Sequence, residues 1–109
     1  MVKVFITKDI SEDGLLKAYH ALNKVAHGNV AVKISTGEPG GHHFLSPKLI
    51  KPLIDKVSGT IVECNTAYEG RRNETNEHKK AIREHGFYDI ASVDIMDENG
   101  SMSIPVRCV

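Results

Sequence analysis

Asn29-Val30-Ala31-Val32-Lys33-Ile34-Ser35-Thr36-Gly37-Glu38-Pro39-Gly40-Gly41-His42-His43-Phe44 is the stretch that decides the fold. Its first half alternates as a strand, with Val30, Val32 and Ile34 on one side and Ala31, Lys33 and Ser35 on the other. The run Thr36 to Gly41 cannot continue as regular structure, and Ser46-Pro47 then opens a helix. Strand, glycine-rich loop and helix in that order build a ligand crevice at the carboxyl end of a parallel sheet.

Outward from that stretch, the same grammar repeats. Val2, Val4 and Ile6 alternate as a first strand, and Ser11 with Glu12 and Asp13 starts a helix. The apolar stripe of that helix runs from Leu15 to Ala26, with Gly28 as its stop. After Pro47 a second helix buries Leu49, Ile50, Leu53, Ile54 and Val57, with a kink or a short opening turn expected at Pro52. Thr60 to Cys64 is a short β-branched strand, and a long loop follows from Asn65 to Arg72. A third helix opens at Asn73 or Thr75 and stops at Gly86. His78 and His85 occupy its core stripe, so that helix either lines a polar site or is poorly buried.

Ala91 to Met96 is a fourth strand, Asn99-Gly100 signals a hairpin, and Ser101 to Val106 returns with Pro105 at an edge. The expected fold is therefore α/β: a three-layer, mainly parallel sheet with helices on both faces and a C-terminal β-hairpin at one edge. Residues 1–109 form a single domain, long enough to bury a core without disulfides or metal.

Composition narrows the function. Lys plus Arg number 14 and Asp plus Glu 14, so the chain lacks the basic excess of a general nucleic-acid or anionic-membrane binder. No apolar run approaches a membrane span, and the amino terminus alternates where a signal peptide would be continuously apolar. A cytoplasmic protein is expected. Cys64 and Cys108 cannot hold an iron–sulphur cluster alone, which needs about four thiolates.

If the strands before the two long loops are neighbours, Thr36–His43 and Asn65–Arg72 face each other across one mouth. Gly37, Gly40 and Gly41 let backbone amides approach a phosphate or carboxylate, although the spacing is neither a dinucleotide fingerprint nor a Walker loop and Glu38 opposes an anion. Lys33 either binds an anion or pairs with Glu38 or Glu63. Arg71 and Arg72 after Tyr68 offer a forked clamp. His42 and His43 are donors, but adjacent histidines diverge, so no metal site is assigned there. No serine or cysteine stands in a nucleophile motif, and no reaction is assigned.

Two segments carry a family resemblance: Val30 to Gly41 with Phe44-Leu45-Ser46-Pro47, and Glu63 to Thr75 with His78 and Glu84-His85-Gly86-Phe87. Together they resemble the amino-terminal part of the iron–sulphur-centre proteins catalogued as domain of unknown function 362, over about Val30 to Val106. The resemblance implies a cytoplasmic prokaryotic protein of undetermined activity whose longer relatives continue into a further α/β segment. Many of those carry a 4Fe-4S module, which this chain lacks. It also implies that Lys33, Gly37, Glu38, Asn65, Thr66, Tyr68, Gly70, Arg71 and His78 are site positions.

The leading expectation is thus an amino-terminal domain forming one wall of a ligand or cofactor crevice, with a small anionic ligand. The alternatives are a self-contained anion-binding domain or enzyme using Lys33, Arg71, Arg72 and a histidine, and an interaction module pairing through an open edge near Ile104. A homo-oligomer or a further carboxyl-terminal domain would complete the mouth.

Overall fold

The computed structural model describes residues 1–100, 102 and 104–107. The element order is α1 (Glu12–Ala21), β1 (Ala31–Lys33), α2 (Pro47–Val57), β2 (Thr60–Glu63), α3 (Thr75–Glu84) and β3 (Val93–Ile95). The strands form one sheet in the order β1-β2-β3, and both pairings are parallel. Mixed α/β structure with a parallel sheet is what alternating strands and helices dictate.

The register defines the core. Val32 pairs with Ile61 and Ile61 with Val93, while Glu63 pairs with Ile95. Side chains alternate along each strand, so Val32, Ile61, Glu63, Val93 and Ile95 share one face. Ile50 and Ile54 of α2, Ile82 of α3, and Phe87 just beyond α3 close over that face. On the opposite face Ala31, Lys33 and Asp94 are exposed. Both α2 and α3 therefore serve one side, and α1 packs against α2. A second helical layer is not seen among the described residues.

Two expected strands are also not seen among the described residues. Residues 1–10 contain none, and Val2, Val4 and Ile6 are exposed. Alternation marks a strand that has a partner, and among the described residues this segment pairs with no strand. Residues 102 and 104–107 likewise carry no strand; the rest of the expected hairpin return, at Ser101 and Ser103, lies outside the described residues, as does Cys108. All strand pairs observed are parallel.

Helix boundaries follow local chemistry. Ser11 Oγ accepts from the Gly14 amide and caps α1. That helix ends at Ala21, so Val25, placed in its stripe by periodicity, is exposed beyond it. Ser46 stands at the cap position of α2 without a side-chain cap bond. The helix runs unbroken through Pro52, where the spacing predicted a kink or opening turn. Ser58 in the left-handed region closes α2. α3 opens at Thr75, one of the two starts expected, and Glu74 just before it caps the helix by accepting from the Glu77 amide at 3.0 Å.

Candidate functional site

The site begins with a carboxylate in an apolar strand. Thr60-Ile61-Val62 is β-branched, and Glu63 shares the core face with Ile61. It is only 2% exposed. A charge buried there must be hydrogen-bonded and paired. Thr36, where the chain leaves β1 for the glycine loop, donates its backbone N–H at 2.7 Å and its hydroxyl at 2.9 Å to Glu63 Oε1. Lys33 Nζ approaches Oε2 at 3.3 Å and also donates to the Ile34 carbonyl at 2.8 Å. Burial works to raise the Glu63 pKa, but the Thr36 bonds and the Lys33 charge outweigh it and hold the carboxyl below its ordinary range.

α3 delivers a second buried polar group. His78 is fully buried, which resolves the choice posed by its stripe position in favour of a polar lining. Its Nδ1 lies 3.0 Å from Asn65 Oδ1, and the Asn65 amide nitrogen donates to Thr75 Oγ1 at 2.8 Å. His78 Nε2 faces Glu63 Oε1 at 3.8 Å. Burial lowers the His78 pKa and Arg72 lowers it further, against an opposing pull from Glu63, Asp97 and Glu38. The neutral ring is favoured.

Above these groups the two long loops meet. Tyr68 donates its hydroxyl to Glu38 Oε1 at 2.8 Å, and Arg72 Nη1 reaches the same oxygen at 3.2 Å. The second loop is braced internally, the Thr66 amide donating to the Arg72 carbonyl at 3.0 Å and the Thr66 hydroxyl to the Tyr68 carbonyl at 3.3 Å. The first loop is braced by His85, whose Nδ1–H donates to the Thr36 carbonyl at 2.7 Å while its ring stacks on Phe44 at 4.1 Å. Gly37 is required beneath that stack: its φ is +89°, and a Cβ there would stand 2.7 Å from the Phe44 ring.

The positions singled out in the sequence therefore separate into groups. Glu38, Tyr68 and Arg72 form a strap across the carboxyl ends of β1 and β2. Asn65 and His78 lie beneath it. Lys33, His42 and His43 line a separate open cleft of about 540 Å³ with Ile34, Ser35, Phe44 and Leu45. Gly40 turns at φ +74°, and Gly41 N–H donates to the Glu38 carbonyl at 2.9 Å. Arg71 points away from the strap, bound through Nε and Nη2 to Glu77 at 3.1 and 3.0 Å.

Sequence reasoning gave Thr36 no role and named Glu63 only as one possible partner for Lys33. A glutamate closing a β-branched run was the available signal for Glu63. Nothing local marked Thr36 as its double donor.

Among the described residues no group of three or more His, Cys, Asp or Glu side chains is arranged to hold a metal ion. Cys64 is an exposed free thiol. These donors do not fit an iron–sulphur cluster. No helix among the described residues is long and apolar enough to cross a membrane. No family model, curated protein or solved structure matches the chain.

Proposed function

We propose that this chain is the amino-terminal α/β unit of a cytoplasmic prokaryotic protein of the kind it resembles, the iron–sulphur-centre proteins of domain of unknown function 362. Its part is to form one wall of a crevice for a small anionic ligand or cofactor. The observation that carries this reading is the cleft beside the glycine loop, which Lys33, His42 and His43 line with no carboxylate among the lining residues, although Lys33 Nζ also lies 3.3 Å from Glu63. Three nitrogen-bearing side chains at the carboxyl end of a parallel strand suit a carboxylate or phosphate.

The second helical layer and the edge hairpin belong, in this reading, to the longer architecture. Its support is the two exposed apolar rows, Val2, Val4 and Ile6 near one end and Met102, Ile104 and Val106 near the other. Pairing of those rows in a homo-oligomer is the competing arrangement, and a mass that grows with concentration in light scattering would favour it.

The test is thermal shift across inorganic phosphates and small organic acids, on the wild type and on Lys33→Ala. Stabilisation of the wild type that falls at least severalfold in Lys33→Ala is expected. Equal shifts in the two proteins would remove Lys33, and with it the cleft, from ligand binding.

A second reading, a self-contained enzyme, is favoured by His78, whose buried neutral ring stands beside Glu63. It loses the expected contribution of Arg71, which Glu77 already engages. A natural stop codon directly after Val109 in the gene would favour this reading over the first.

A further inference from the structure

The cleft that Lys33 lines is walled mostly by hydrocarbon, and the charge of its one lysine is already partly compensated. Ile34 and Phe44 pack against the core, so this wall is fixed in place. The Phe44 ring is held further by its stack on His85 at 4.1 Å and a tilted contact with Phe87 at 5.9 Å. Leu45 beside it is 55% exposed. An apolar wall that stands open to water gains by being covered. The charge is equally specific. Lys33 spends one N–H on the Ile34 carbonyl at 2.8 Å and a second on Glu63 Oε2 at 3.3 Å, yet its side chain stays more than half exposed. One N–H of its three is left for a ligand. The cleft volume of about 540 Å³ is that of a small-molecule site.

We propose that this cleft takes a small monocarboxylic acid with an apolar body, its carboxylate on Lys33 and its ring or chain against Ile34, Phe44 and Leu45. The proposal rests on the anion reading of the same cleft and narrows it. One open N–H suits a single carboxylate, and the exposed Ser35 in the lining offers a hydroxyl as a second donor. A phosphate dianion brings more charge than one lysine balances, and the ionised Glu63 behind Lys33 repels it more strongly than a monoanion. Phosphate also has no hydrocarbon to lay on the wall. An uncharged apolar molecule covers the wall and leaves the lysine without a partner. An amine meets the lysine charge. A group with one negative charge at one end and hydrocarbon at the other answers both halves of the lining.

The experiment is an amide NMR titration of the full chain at neutral pH with phenylacetate, acetate, inorganic phosphate and uncharged phenylacetamide. The wild type is compared with Leu45→Ser, which changes an exposed side chain and leaves the core intact, and with Lys33→Ala. Phenylacetate is expected to move the amides of residues 33–35 and 42–45 and to bind roughly tenfold or more tightly than acetate, phosphate or phenylacetamide. In Leu45→Ser its advantage over acetate shrinks by roughly threefold or more, while acetate binding is unchanged. In Lys33→Ala phenylacetate falls to the level of phenylacetamide.

Acetate or phosphate binding as tightly as phenylacetate overturns the apolar-body proposal and leaves the anion reading standing. Phenylacetamide binding as tightly as phenylacetate overturns both, because the charge then contributes nothing. So does the absence of any shift, or shifts confined to residues outside the cleft. An undiminished phenylacetate advantage in Leu45→Ser overturns the proposal alone. The four wild-type titrations and Leu45→Ser decide these outcomes even if Lys33→Ala, which strips Glu63 of its cation, does not fold.

Discussion

Thr36 donates twice to a single oxygen of Glu63, through its backbone N–H at 2.7 Å and its hydroxyl at 2.9 Å. The start of the glycine loop is thereby pinned to the end of the central strand. Thr36→Val keeps the shape and the backbone donor but removes the hydroxyl. Its loss from a buried charged acceptor is expected to cost about 1.5–3 kcal/mol, read as a lower urea midpoint at unchanged slope.

Acid should lower the protein's stability in two steps, because two buried groups, Glu63 and His78, have depressed pKa values. For His78 the fold prefers the neutral ring. Its contribution is complete above the ordinary histidine value of about 6.5 and drains away as pH falls from there to the lowered native value. For Glu63 the fold prefers the carboxylate. Its contribution is complete above about 4.3 and is lost as pH falls through the native value below that. Urea midpoints measured from pH 8 to pH 3 should therefore decline first near pH 6 and again below about pH 4. His78→Gln should flatten the first decline and Glu63→Gln the second.

Arg72→Met should loosen both loops at once. Arg72 is nearly buried and reaches Glu38 from the second loop, so its removal leaves Tyr68 as the other cross-loop bond to that carboxylate. Amide exchange should accelerate across residues 36–41 and 65–72 together, while the amides of β2 stay protected. Tyr68→Phe removes an exposed bond and should produce a smaller acceleration over the same residues. Acceleration confined to the second loop would count against the strap.

Gly37→Ala tests the stack beneath the first loop. A left-handed conformation costs an alanine about 1–2 kcal/mol before any contact is considered. The added carbon would also strike the Phe44 ring that supports His85. Destabilisation in urea should exceed the conformational cost alone. Gly40→Ala has the same kind of φ but open space around it, and should show the conformational cost only.

How much of this was legible in the sequence depended on whether a signal was local. The start of α2 at Pro47, the brevity of β2 and the stop at Gly86 are written in residues that force a backbone choice. The adjacency of the two long loops hung on whether β1 and β2 are neighbours, and the parallel pairing of the two strands supplies that. The rows Val2 to Ile6 and Ser101 to Val106 carry a strand pattern, but pattern alone does not supply a neighbour to pair with. The histidines show the same limit. Periodicity placed His78 and His85 on the inward side of α3, yet their partners Asn65 and Thr36 are far away in the chain and nothing in α3 names them. Arg71 and Arg72 look equivalent in sequence, and only Glu77 on the following helix draws the first one away.

Glu38 answers to both Tyr68 and Arg72 through one oxygen, and that yokes the two loops mechanically. Whatever competes for that oxygen releases both contacts in a single event, so the loops should part at one threshold rather than by degrees.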